Sequence, residues 1–296
     1  MPSASSTSIA VTRRATFGAL VELTKPSIAT LVMVTALCGA LVAPGPLPVA
    51  RLVIALVATA LVVGAANSLN MYAERDADAL MRRTRNRPLP SGRLSPELAL
   101  AFALLLATIG LNTLGVVAGG AACALTLLAF VSYVLAYTPL KRVSPVALYV
   151  GALPGALPPL IGYASVTGHV GEGALWLFLV LFVWQIPHFI AIAIFRAEDY
   201  RAAGMAVLPV VRGIVHAKRA VVVSSVGLAL VTLLPAWSGA VRPPYLLVAA
   251  PAALAFVALA LSGLREGANA RWARRLFFAS MPYLVVVYAA FVAEAA

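Results

Sequence analysis

The sequence predicts an all-α polytopic membrane protein, with nine transmembrane helices in a bundle around a central cavity. Three observations predict it. Of 296 residues, 62% are hydrophobic and only 11% charged, with mean hydropathy +0.97, whereas a soluble globular chain is nearer half apolar and a quarter charged. The apolar residues gather into runs of about 20, long enough to cross a bilayer as helices. The basic residues gather in the short segments between these runs. The formal net charge of +12 is therefore a topological signal and requires no nucleic-acid partner.

Taken in order, residues 1–25 carry Arg13 and Arg14 but no compact apolar core followed by a small-residue cleavage site. They read as a cytoplasmic tail rather than a removed signal, and residues 26–296 as one intramembrane domain. The first span, Ser27–Val42, is short, and Pro26 can start it without losing an internal hydrogen bond. Leu52–Tyr72 follows. Glu97–Val117 and Ala121–Tyr137 are divided by a tight turn at Gly119-Gly120. Pro145–Val166, Ala174–Phe195, Ala220–Ser238, Tyr245–Leu264 and Leu276–Val292 complete the set. With the N-terminus inside, every Lys and Arg but Arg51 and Arg242, out of 22, lies on the inner side. So one-sided a partition supports both the span count and the orientation, and the C-terminus then faces out. Cys38 and Cys123 sit within apolar runs at no metal-like spacing and read as packing residues.

Charge is densest from Asn67 to Pro96, where Glu74, Asp76 and Asp78 meet Arg75, Arg82, Arg83, Arg85, Arg87 and Arg93. Asn70, Glu74 and Asp78 recur every fourth residue, which on a helix sets them along one face, each about 40° round from the last. An ordinary positive-inside loop explains the arginines but not this stripe at the very end of a span, where polar groups are costly and tend to mark function. A carboxylate row able to hold a divalent cation, followed by arginines able to grip phosphate, outlines a diphosphate site.

A second mixed cluster, Arg196-Ala197-Glu198-Asp199-Tyr200-Arg201, follows the sixth span on the same side. It could face the first across the cavity, although a helix end with mixed charges is commonly just solvated. Lys141 and Arg142 close the fourth span, either as topology charges or as phosphate contacts. His188 lies within an apolar helix interrupted by Pro187, in Trp184-Gln185-Ile186-Pro187-His188-Phe189. Prolines in spans free backbone groups and tend to line cavities, so His188 reads as a pocket residue or a hydrogen-bonded packing residue.

The pattern Asn70-x-x-x-Glu74-x-x-x-Asp78, with Met81-Arg82-Arg83-Thr84-Arg85-Asn86-Arg87-Pro88-Leu89 after it, resembles the first aspartate-rich motif of the intramembrane prenyltransferases. Leu23 to Ile28, Tyr137 to Arg142, Gly151 to Gly168, the WQIPHF segment and Glu198 to Val211 resemble the protoheme IX farnesyltransferases of that superfamily. Two positions depart from the wider pattern. Glu74 stands where aspartate is common, and Ala203 stands where a second-motif carboxylate is expected.

The resemblance implies farnesyl diphosphate and protoheme (heme B) as substrates, heme O and diphosphate as products, and Mg²⁺ as cofactor. It implies metal-holding and catalytic roles for Asn70, Glu74 and Asp78, with Glu198 and Asp199 as further metal ligands. Arg83, Arg87, Lys141 and Arg142 would contact phosphate. Trp184, Phe189, Tyr133 and His188 would wall the substrate pocket, where aromatic faces stabilise an allylic cation. A bacterial inner-membrane location follows from the resemblance, as does a link to heme A synthase or terminal oxidase assembly. A prenyltransferase for a quinone precursor or other aromatic acceptor would share the first motif, although the segments around His188 and Asp199 argue against it. A transporter is the rival from another class. No duplicated half supports it, and the polar groups lie at the inner face instead of the midplane.

Overall fold

The computed structural model describes residues 13–265 and 267–295, and helix follows helix along them. We number these α1 (Arg13–Thr24), α2 (Pro26–Leu41), α3 (Val49–Leu80), α4 (Pro96–Val117), α5 (Gly120–Leu140) and α6 (Ala147–Thr167). The second half holds α7 (Glu172–Phe195), α8 (Ala197–Ala202), α9 (Leu208–Val211), α10 (Ile214–Ser238), α11 (Tyr245–Leu264) and α12 (Ala270–Glu294). Eight of these are long and apolar enough to cross a membrane, and a ninth results if the bent pair Thr16–Thr24 and Pro26–Leu41 is one span. A helix stands at each expected span, the first reaching span length only together with α1, and the ends shift by up to eight residues. Large apolar side chains such as Val34, Leu105, Val116, Leu247 and Leu254 are exposed, which suits a belt bathed in lipid rather than water.

Two boundaries differ instructively from expectation. The segment read as a tail, residues 1–25, is helical from Arg13 onward; residues 1–12 lie outside the described residues. Ala19 and Leu23 are buried against Met71, Leu89 and Leu94, so α1 is tied to the α3 end and to the loop before α4. In turn α3 does not stop at Tyr72 but continues as 32 helical residues to Leu80. At 1.5 Å per residue that is about 48 Å, well beyond a hydrocarbon core of about 30 Å. The charged motif therefore rides on a helical extension of a span. Burial holds that extension, because Ala77 and Met81 pack with Ala193, Tyr200 and Met205.

Helix α3 packs chiefly on α4 and α2 on α6, while α7 is flanked by α6, α10 and α12. In lipid there is little hydrophobic drive between helices, so small residues that allow close approach decide such crossings. At the α2–α6 crossing, a Cβ on Gly39 would strike the Pro159 carbonyl, and one on Gly162 would strike the Ala36 carbonyl. Gly162→Leu should therefore force the two backbones apart. The expected cost exceeds the ~1–3 kcal/mol typical of overpacking, because backbone cannot rotate away. The check is a marked fall in thermal stability and in monodisperse yield after detergent extraction.

Candidate active site

The stripe on α3 lies where two other helices end. Asn70, Glu74 and Asp78 are 3%, 2% and 0% exposed, and buried carboxylates demand compensating charge. Lys141, one residue past α5, supplies it to Glu74, with Nζ 3.1 Å from Oε1 and 3.2 Å from Oε2. Burial opposes the Lys141 ammonium, but the facing Tyr137 and Glu74 outweigh it and raise its pKa above the ordinary lysine value. Arg87, in the loop after α3, donates from Nη1 to Asp78 Oδ2 at 2.7 Å. Thr84 Oγ1 bonds the Asp78 carbonyl at 2.8 Å and folds that loop back over the helix end. Asp78 Oδ1 is buried with no partner among the described residues.

Lys141 is aimed by a distortion that the sequence did not announce. Ser132–Tyr137 of α5 is a π-helical turn, a feature often found at functional sites. Pro139 follows it and has no N–H to give to the preceding turn. Thr138 sits between them: its Oγ1 bonds the Tyr133 carbonyl at 2.9 Å and accepts from Asn70 Nδ2 at 3.3 Å. The stripe is thus tied to the end of α5 at two points, Asn70 by Thr138 and Glu74 by Lys141, while Asp78 is held by Arg87.

Lys25 is the residue that sequence reasoning missed. It occupies the break between α1 and α2, where the two axes differ by 41°. Its φ of 50° makes it the one described non-glycine residue with positive φ. Such a conformation costs of order 1–3 kcal/mol and clusters at functional sites. The break is held by Asn67 Nδ2, which donates to the Thr24 carbonyl at 3.2 Å. As a result Lys25 Nζ reaches Asn70 Oδ1 at 3.4 Å. The signal that could have found it is a lone lysine directly before the proline that starts a span.

The other expected residues distribute as follows. Arg83 reaches Tyr200 through Nη2 at 3.5 Å, with its guanidinium 5.7 Å from that ring. Arg142 is exposed and donates to the Ala73 carbonyl at 2.9 Å, pinning the end of α5 to α3. Asp199 pairs with Arg196 at 3.6 Å, and Glu198 is exposed. Among the described residues, no three His, Cys, Asp or Glu side chains form a cluster able to hold a metal ion. The second cluster meets the first through Tyr200 and Met205 instead, and through Ala206, whose N–H bonds the Lys141 carbonyl at 3.2 Å. Tyr133 packs against Tyr137 in a tilted arrangement, with centroids 5.2 Å apart.

His188 is fixed from below. Its Nδ1 lies 2.6 Å from Ser280 Oγ, and that hydroxyl lies 2.6 Å from the Phe277 carbonyl. The carbonyl can only accept, so the single hydroxyl proton points to it and His188 Nδ1–H must donate. That leaves Nε2 with its lone pair, and it has no hydrogen bond among the described residues. Trp184 stacks on the imidazole at 4.4 Å and bonds the Ser280 carbonyl through Nε1 at 2.7 Å. Phe189 touches His188 edge-on at 5.3 Å but is 39% exposed.

The profile of the UbiA prenyltransferase family matches residues 32–281. The chain belongs to that family. Within the family it is 46% identical over 271 residues to a protoheme IX farnesyltransferase of Myxococcus xanthus, covering 92% of each chain. It is 49% identical over 243 residues to one of Sorangium cellulosum, covering 82% of this chain and 87% of the other. Its fold is similar to that of a digeranylgeranylglyceryl phosphate synthase (TM-score 0.79, 17% identity, 94% of this chain and 98% of that one). It is also similar to a UbiA homologue from Archaeoglobus fulgidus bound to GPP and Mg²⁺ (TM-score 0.68, 16% identity, 92% and 99%). The chain is therefore an intramembrane prenyltransferase, and its polar cluster stands at one end of a family fold.

Proposed function

We propose that this protein transfers the farnesyl group of farnesyl diphosphate to a vinyl group of protoheme, with addition of water, giving heme O and diphosphate. One observation carries the choice of substrates: 46% identity across 92% of both chains to a protoheme IX farnesyltransferase. The site's chemistry supports it. Lys25, Lys141 and Arg87 converge on the Asn70–Glu74–Asp78 stripe, so fixed cations surround the place where a diphosphate would leave.

The residues present fit a divalent cation. Asp78 Oδ1 is buried with no hydrogen-bond partner among the described residues and is an anionic oxygen open to a cation, while Lys141 and Arg87 hold Glu74 and Asp78 Oδ2. Asn70, Glu74 and Asp78 would hold Mg²⁺, an ion that usually takes few protein carboxylates and leaves other positions to phosphate and water. Bound there, Mg²⁺ supplies Lewis-acid stabilisation of the departing diphosphate. Lys25, Lys141, Arg87 and Arg83 bind the phosphate oxygens. The farnesyl C1–O bond then breaks with its electron pair staying on diphosphate. The vinyl π bond closes onto C1, and water adds to the resulting benzylic-type cation and loses one proton. Trp184, Phe277 and Tyr133 exclude water from the allylic cation until the vinyl carbon reaches it.

The one-sided distribution of basic residues supports a site on the cytoplasmic side of the membrane, with the N-terminus inside. The lipophilic product requires a membrane-bound consumer, either a heme-modifying enzyme or an oxidase in assembly. The test is direct: purified membranes with heme B, farnesyl diphosphate and Mg²⁺, with pigments separated by reverse-phase chromatography and weighed by mass spectrometry. A late-eluting heme heavier by one farnesyl group and one hydroxyl is expected. Prenylation of an added quinone precursor without that heme would overturn the reading.

A further inference from the structure

Where α7 and α12 approach the inner face, a cleft of about 390 Å³ opens beside the polar cluster. Its walls are aromatic and its rim is cationic: Phe195, Phe277 and Phe278 with Arg83, Arg196 and Arg274. Phe195 gathers two of these charges, because the guanidinium carbons of Arg196 and Arg274 each lie 5.6 Å from its ring centroid. Cation–π attraction of about 0.5–1 kcal/mol at an exposed site favours each contact. With Arg83, the two arginines put three guanidiniums on one cleft, a positive rim that favours an anion. Asp199 answers Arg196 at 3.6 Å. Arg274 has no acidic partner among the described residues.

The inner wall leads to His188. Phe277 lies 4.7 Å from the imidazole and 5.7 Å from Phe195, so one continuous aromatic surface runs from the cationic rim to His188. A ligand matched to this cleft is flat and apolar over most of its area, with anionic groups along one edge only.

Resting on the proposed reaction, we infer that Arg196 and Arg274 clamp the two carboxylates of the porphyrin acceptor, whose ring lies along Phe195 and Phe277 with its opposite edge directed inward. The porphyrin carries both propionates on one edge and its vinyl groups away from it. A clamp at the rim therefore turns a vinyl group toward the bundle interior. Arginine suits the task through its planar, permanently charged, bidentate fork. An anionic lipid headgroup is the other anion this rim could meet, and the experiment separates the two.

Wild-type protein, Arg274→Gln and Arg196→Gln are placed in phosphatidylcholine nanodiscs, and heme B or its dimethyl ester is titrated by absorbance. Farnesyl transfer to each acceptor is measured in parallel. Wild type should bind the diester about tenfold more weakly than heme B, as expected for loss of hydrogen bonds to charged groups. Arg274→Gln should weaken heme B by about the same factor and leave diester affinity where it was, while KM for farnesyl diphosphate stays within about twofold. Equal losses for heme B and the diester would overturn the clamp. An arginine effect that appears only when phosphatidylglycerol is added to the nanodiscs would also overturn it and assign the rim to lipid headgroups. If wild type binds heme B in this arginine-dependent way yet makes no farnesylated product, the clamp stands and the proposed reaction fails.

Discussion

Asp78→Asn is expected to slow heme farnesylation on the order of 10²–10³-fold, the range typical of removing one preorganised charge-stabilising group. Asp78 is wholly buried, and its two oxygens are in different situations. Oδ2 holds Arg87 at 2.7 Å, whereas Oδ1 has no hydrogen-bond partner among the described residues. Asparagine preserves the shape but removes the charge, so it withdraws both the anchor of Arg87 and an anionic ligand for Mg²⁺. The stability cost should be modest, about 1–3 kcal/mol for one under-satisfied buried group, so the variant can be purified and assayed. The measurement is the initial rate of heme O formation at saturating substrates and Mg²⁺, beside a thermal melt. A rate within tenfold of wild type would remove Asp78 from the chemistry.

Lys141→Met should be the most destabilising change at the site. It strands the Glu74 carboxylate, which is 3% exposed as a side chain against 16% for Lys141. Breaking a buried pair by removing one partner costs about 3–5 kcal/mol, because the remaining charge is uncompensated. The double variant Glu74→Gln/Lys141→Met should recover most of that loss, since a neutral pair needs no counter-charge. It should stay inactive, because it lacks both a metal-holding carboxylate and a phosphate-binding ammonium. Melting temperatures and product formation are read on the same four proteins: wild type, both single variants and the double. Recovery of stability together with activity would make the pair a structural strut rather than part of the site.

The two variants also mark how far the sequence could be read. Spacing alone placed Asn70, Glu74 and Asp78 on one face, because a helix repeats every 3.6 residues wherever it sits. It could not place Lys141 on Glu74, since that contact spans 67 residues and depends on a π turn before Pro139. Lys25, before Pro26, was a local signal, but its contact with Asn70 was out of reach for a similar reason. Its role arises from a left-handed backbone angle in a break braced by Asn67, and neither is a property of local sequence. In the second cluster, charge pointed to Glu198 and Asp199, while packing brought Tyr200 and Met205 to α3.

The sequence by itself determined the membrane class, the approximate spans, the gathering of basic charge between them and the carboxylate stripe. Each follows from short-range periodicity or from the transfer energy of single side chains into lipid. Tertiary structure decided which cations meet that stripe, how His188 is oriented by Ser280, and where Arg196 and Arg274 are gathered on Phe195. These depend on helix ends distant in the chain being brought together, and helix crossings at positions such as Gly39 and Gly162 set that registry through backbone contact.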